Sequence, residues 1–209
     1  MKMKRPLRAV LSPANLALIG LPKKFRNVTI EDYIAYDSGL GEVRDYVKNY
    51  IDNIDENFEN SNGIYFCGAN GVGKTMLSCI IVREAYRHRY TSKRVTFSEY
   101  VKKYTDMWGA KSPDEKEALE EEFYNRYKAV EFLVLEEIGK EMDTKAVRPI
   151  LEDLLRYRED EGLVTIICTN LSPTQLKEIY GNSIYSLIRG NMEYISIDCK
   201  DRRKNKCVT

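Results

Sequence analysis

Residues 64–82 constrain this chain more than any other stretch. Ile64-Tyr65-Phe66-Cys67 is a short apolar run that reads as a buried strand. Gly68-Ala69-Asn70-Gly71-Val72-Gly73-Lys74-Thr75 then fits the pattern G-x-x-x-x-G-K-[ST], and Met76 opens an apolar, glycine-free run that reads as a helix. Strand, glycine loop and helix in that order are the context of a phosphate-binding loop. Gly68, Gly71 and Gly73 lack a Cβ, so the backbone can turn tightly and aim its N–H groups at an anion. The helix that begins near Lys74 adds its unpaired N–H groups and positive dipole end. Residues 68–76 are therefore expected to cradle a nucleoside triphosphate, with ATP and Mg²⁺ as the cofactors. Lys74 would neutralise the β- and γ-phosphates, and the Thr75 hydroxyl would hold Mg²⁺. A chance glycine loop ahead of a helix is the bland alternative, and the flanking elements argue against it.

The 209 residues suit one α/β domain, or one domain with a small extension. A chain that is 43% hydrophobic and 31% charged has the composition of an ordinary soluble domain. No apolar run approaches bilayer-spanning length, so no membrane role is expected. The five cysteines show no C-x-x-C pairing, which predicts reduced thiols in a cytoplasmic protein rather than zinc or a disulfide framework. A net charge of +1 leaves nucleic-acid contact to local patches.

Residues 1–27 are basic, contain Pro6, Pro13 and Pro22, and show no clear period. They read as an N-terminal arm or partner-binding segment, with a disordered tail as the alternative. Residues 41–58 carry Val43, Tyr46, Val47, Tyr50, Ile51, Ile54 and Phe58 at spacings of three and four, which predicts one amphipathic helix. Strands are predicted over 93–97, 130–135, 163–168 and 193–198, with helices between them. Ser98 is the expected cap of the helix after the second strand, Asp143 or Thr144 of the helix after the third. Nearly all-apolar strands alternating with helices predict a parallel sheet covered on both faces. The domain is expected to run over 28–200, with a basic tail at 201–209.

Ligands of such sheets bind at the carboxyl ends of the strands. The third strand runs into Glu136 and Glu137, an acid pair whose first member would support Mg²⁺ and whose second would polarise the attacking water. The fourth ends in Thr169 and Asn170, where a polar group could orient that water, or cap the next helix as Ser172 could equally do. Arg189 lies just before the last strand. It could reach a neighbouring subunit's γ-phosphate, or simply favour a helix C-terminus.

The glycine loop, the run Phe132-Leu133-Val134-Leu135-Glu136-Glu137-Ile138-Gly139 and the run Thr165-Ile166-Ile167-Cys168-Thr169-Asn170-Leu171-Ser172 together resemble the AAA+ helicase loaders of bacteria and phages, the DnaC/DnaI type, and their transposition relatives of the IstB type. Leu21-Pro22-Lys23-Lys24-Phe25-Arg26-Asn27 resembles the lead-in to that domain. The resemblance spans about residues 20–203. It implies an α/β fold of the P-loop NTPase class with an AAA+, RecA-like core, a short arm and no helical lid domain. It also implies an ATPase, possessing a replicative DNA helicase and single-stranded DNA as partners and forming homo-oligomers. By position, Lys74 and Thr75 match Walker A, Glu136 and Glu137 Walker B, and Asn170 sensor 1. Three departures stand out. Glu136 replaces the usual aspartate, Ser186 is followed by Leu187 where a finger arginine is usual, leaving Arg189 as the nearest substitute, and helicase contact would fall to the short arm. In this family a DNA-facing element follows the second strand. There Lys102, Lys103, Tyr104 and Lys111, with Tyr100 and Trp108, interleave cations and aromatics as a single strand requires. A buried Tyr104–Trp108 stripe is the competing reading. A transposition helper acting on duplex DNA, an inactive nucleotide-binding adapter and, more remotely, a nucleoside or nucleotide kinase are the other functional alternatives.

Overall fold

The computed structural model describes residues 9–140 and 144–199. After helix α1 (Pro13–Leu18) come α2 (Ser38–Asp52) and α3 (Ile54–Glu59), strand β1 (Gly63–Gly68), helix α4 (Lys74–Arg87) and strand β2 (Ser92–Thr96). Helices α5 (Phe97–Asp106) and α6 (Pro113–Phe123) lead to β3 (Phe132–Ile138), α7 (Thr144–Asp160) and β4 (Val164–Thr169). Helices α8 (Pro173–Tyr180) and α9 (Asn182–Asn191) precede β5 (Met192–Ile197). The strands form one sheet in the order β2-β3-β4-β1-β5, and every pairing is parallel.

Strand residues alternate between two cores. Phe132 and Val134 face α2 and α4, packing with Leu77, Ile80 and Ile81. Leu133 and Leu135 face the other way, toward Leu151, Leu154 and Leu155 of α7 and Ile184 of α9. Each fully buried aliphatic chain contributes about 1.5–3 kcal/mol, so both layers are needed to hold a continuous apolar strand. This is the α/β sandwich that the alternation of elements predicts.

Several boundaries differ from the sequence reading, each for a local reason. The single helix expected over 41–58 breaks at Asn53, whose side-chain amide donates to the Asn49 carbonyl at 2.9 Å and competes with helix continuation. Thr96, not Ser98, caps α5, its hydroxyl accepting from the Glu99 N–H at 3.2 Å. Ser172, by contrast, caps α8 as the sequence allows, in a reciprocal box with Gln175. Asp143 and the tail 201–209 lie outside the described residues. Residues 9–27 do not stand apart as an arm. Leu16, Ile19 and Leu21 are 3%, 6% and 2% exposed and belong to the α2–α4 core. The Ala9 N–H donates to the Arg87 carbonyl at 2.9 Å, and the Arg94 N–H to that of Ile19 at 2.8 Å.

A candidate nucleotide site at the carboxyl edge of the sheet

β1 ends at Gly68, and the chain returns as α4 at Lys74 through a loop with Gly71 at φ +85° and Gly73 at φ +110°. Those left-handed values favour glycine and set the loop's curvature. Lys74 folds back over this loop. Its ammonium donates to the carbonyls of Gly68 (2.6 Å) and Ala69 (2.8 Å) and to Asn170 Oδ1 (2.9 Å). Desolvation holds its pKa below the ordinary lysine value. Asn170 stands just past β4, and its amide also donates to Asn70 Oδ1 at 3.0 Å, so it bridges the lysine and the loop. Thr169 is not an alternative to it: its buried hydroxyl donates to the Ile138 carbonyl at 2.7 Å and ties β4 to β3.

Glu136 and Glu137 lie within β3 rather than beyond it, and they face apart. Glu136 is 3% exposed. Its Oε1 accepts from the Ser78 hydroxyl at 3.0 Å and its Oε2 from the Thr75 hydroxyl at 3.3 Å. Arg94 of β2 forms an ion pair with the same Oε2. Burial weakens the Arg94 cation, but the bond to Glu136 outweighs this and holds its pKa above the ordinary arginine value. Glu137 sits where the β3–β4 register slips, at φ +65°. A non-glycine residue held in that region costs about 1–3 kcal/mol and such strain gathers at functional sites. The bulge turns its half-exposed carboxylate outward, to the Lys140 ammonium at 2.8 Å.

Thr75 and Glu136 provide adjacent hard oxygen donors beside the glycine loop, a set whose chemistry fits Mg²⁺. Among the described residues no group of three or more His, Cys, Asp or Glu could hold a metal by itself. Sequence reasoning missed Ser78 and Arg94. Ser78 lies one helical turn beyond Thr75, which was a usable signal. Arg94 carried none beyond being a cation in a short strand.

The remaining candidates lie elsewhere. Arg189 is exposed in the last turn of α9. The chain then enters β5, where Met192 pairs with Gly63 at the start of β1 and Ile197 with Gly68 at its end. That places Arg189 toward the opposite end of the sheet from its own loop, about 16 Å along the strands. Lys102 and Lys103 are exposed on α5, and Lys111 is exposed at the turn into α6. The buried-stripe reading fails for Trp108, which is 70% exposed. Tyr104 is half-buried, with ring centroids 5.6 Å from Trp108 and 5.7 Å from Phe123. Glu117, Glu120, Glu121 and Glu122 are exposed along α6, where Lys116 pairs with Glu120, so α6 is mainly acidic.

Parallel strands in the order 2-3-4-1-5, with the glycine loop after β1 and acids on β3, define an α/β fold class of the P-loop type, which the solved DnaC and DnaA structures share. Within that class the chain is similar to the replicative helicase loaders of the DnaC/DnaI type. It is 31% identical over 136 residues to the replicative helicase loader DnaI of Bacillus subtilis, a match covering 65% of this chain and 40% of that protein. The crystal structure of the DnaC helicase loader superposes with a TM-score of 0.71 at 20% identity, covering 85% of this chain and all of that one. The replication initiator DnaA bound to AMPPCP and single-stranded DNA superposes with a TM-score of 0.69 at 19% identity, covering 87% of this chain and 52% of that one. No family model matches.

Proposed function

We propose that this chain is an ATP-binding and ATP-hydrolysing helicase loader, which binds single-stranded DNA and helps place a replicative helicase on it during DNA replication. One observation carries the reading: Lys74, Thr75, Glu136 and Asn170, from three separate segments, converge at the carboxyl edge of the sheet. The similarity to DnaI gives that site its biological setting.

The loop amides at 68–73 and the start of α4 bind the triphosphate. Lys74 exchanges its hold on the Gly68 and Ala69 carbonyls for phosphate oxygens. Thr75 and Glu136 hold Mg²⁺, which shields the phosphate charge when bound. Glu137 orients and deprotonates water after leaving Lys140, and Asn170 holds the polar edge of the site. Arg189 serves a neighbouring copy's nucleotide, a reading that its distance from its own loop supports, and turnover then depends on homo-oligomers. Lys102, Lys103, Tyr104 and Lys111 contact single-stranded DNA, with Trp108 as an exposed stacking surface. The protein works in the cytoplasm, and among the described residues no helix is long and apolar enough to cross a membrane.

The pairing of Glu136 with Arg94 and of Glu137 with Lys140 favours a second reading, an adapter that binds nucleotide without turning it over. One experiment separates them. ATP hydrolysis is measured alone and with single-stranded DNA plus the cognate replicative helicase, and complex formation is followed by size exclusion. A stable complex with DNA-stimulated turnover supports the loader. A complex without turnover supports the adapter, and no complex removes the helicase from the account.

A further inference from the structure

Arg94 links the candidate metal site to residues 16–21, at the N-terminal end of the described chain. Its side chain reaches Glu136 Oε2 from β2, with 14% and 4% of the two side chains exposed. The same guanidinium donates through Nη1 to the Gly20 carbonyl at 3.2 Å. The Arg94 backbone N–H donates to the Ile19 carbonyl at 2.8 Å. The neighbouring Lys93 ammonium donates to the Leu18 carbonyl at 2.8 Å. Gly20 has φ +85°, and a Cβ there would lie 2.0 Å from the Arg94 carbonyl oxygen, so only glycine permits this approach. Residues 16–21 therefore form a strap along β2, an outer strand of the sheet.

We propose that Arg94 is a positioning residue that sets the divalent-cation affinity of the nucleotide site and couples it to docking of the 16–21 strap. The inference rests on the reading of Thr75 and Glu136 as the Mg²⁺-holding pair. Ser78 takes Glu136 Oε1, while Oε2 is shared by Thr75 and Arg94. A guanidinium and a divalent cation cannot both sit on one buried carboxylate oxygen without strong repulsion. Cation binding displaces Arg94 from Oε2, and the group that also grips Gly20 loses its anchor. Arg94 Nε is buried without an acceptor, so the guanidinium is incompletely satisfied in the docked state and more easily displaced. Coupling is reciprocal, so a docked strap weakens cation binding by the factor with which the cation loosens the strap.

The test titrates the full chain with a fluorescent ATP analogue, in EDTA and then at rising Mg²⁺, for the wild type, Arg94→Met and Arg94→Lys. Each protein is referenced to its own affinity in EDTA. Arg94→Met is expected to reach half of its Mg²⁺-dependent gain at about fivefold lower Mg²⁺ or less, while Arg94→Lys stays near the wild type. An equal or higher Mg²⁺ requirement in Arg94→Met overturns the proposal. Hydrogen exchange on the wild type tests it without any variant. At saturating nucleotide, Mg²⁺ should speed exchange of the Arg94 amide and of 16–21 by about fivefold or more, and unchanged rates overturn the coupling. Failure of the wild type to bind nucleotide under any condition would instead remove the site on which the proposal rests.

Discussion

Arg158 and Arg94 are both guanidinium groups sunk beside β3, one at each end of the sheet, and their partners differ in kind. Arg158, 1% exposed, reaches from the end of α7 to where β3 and β4 begin. It donates to the carbonyls of Lys128 (2.9 Å), Val130 (2.8 Å) and Val164 (2.6 Å) and to the Thr165 hydroxyl (2.8 Å). Burial pushes its pKa down to about 9, still well above neutrality, so it remains a cation held by fixed dipoles. Arg94 is held by the Glu136 carboxylate, which has its own hydroxyl partners in the loop helix. A backbone carbonyl cannot leave, so Arg158 is a clamp. A carboxylate beside a phosphate loop can take another cation, so Arg94 belongs to an arrangement with an alternative.

The largest effect that would break this contrast is on stability. Arg158→Ala leaves several buried carbonyls without donors and should cost about 3–5 kcal/mol, read as a lower urea midpoint. Nucleotide affinity of the folded fraction should be unchanged. A loss below about 1 kcal/mol would mean that water replaces the clamp easily. Next in size, Glu137→Gln should lower ATP turnover about 100-fold, as removal of a general base does, while leaving nucleotide affinity near that of the wild type. Unchanged turnover would show that the strained carboxylate at φ +65° is not the base. The smallest effect sharpens the Arg94 end. Gly20→Ala should destabilise the fold by about 1–3 kcal/mol through strain. It should also reduce the Mg²⁺ requirement for nucleotide binding in the same direction as Arg94→Met. An increased requirement would show that the strap helps the cation bind.

What the sequence revealed follows the range of the interactions. The β1–loop–α4 unit and the Ser172 cap rest on residues a few positions apart, and pattern alone locates them. Alternating β and α segments predict the parallel sheet because the central strands β1, β3 and β4 are apolar on both faces. The outward turn of Glu137 depends on the β3–β4 register, which is set by packing, and it stayed hidden. So did the Arg94–Glu136 pair, 42 residues apart, and the Ser78–Glu136 bond, 58 apart. Residues 9–27 looked like a free arm because Leu16, Ile19 and Leu21 follow no helical or strand period. They bury against β2 and α4 only once that edge exists. Trp108 was ambiguous because spacing alone does not distinguish a core stripe from an exposed ring beside one.

The most direct test of the account is calorimetric titration of ATP with Mg²⁺ into the wild type and Lys74→Ala, with thermal unfolding as the control for folding. Lys74 makes three hydrogen bonds within the site. Charge-assisted bonds to phosphate contribute about 1.5–3 kcal/mol each, so losing two of them predicts a loss of about 100-fold or more in affinity. The account predicts saturable binding by the wild type and none measurable in a folded Lys74→Ala. Equal binding by the two proteins would contradict it, because the nucleotide would then lie somewhere other than the loop at residues 68–75.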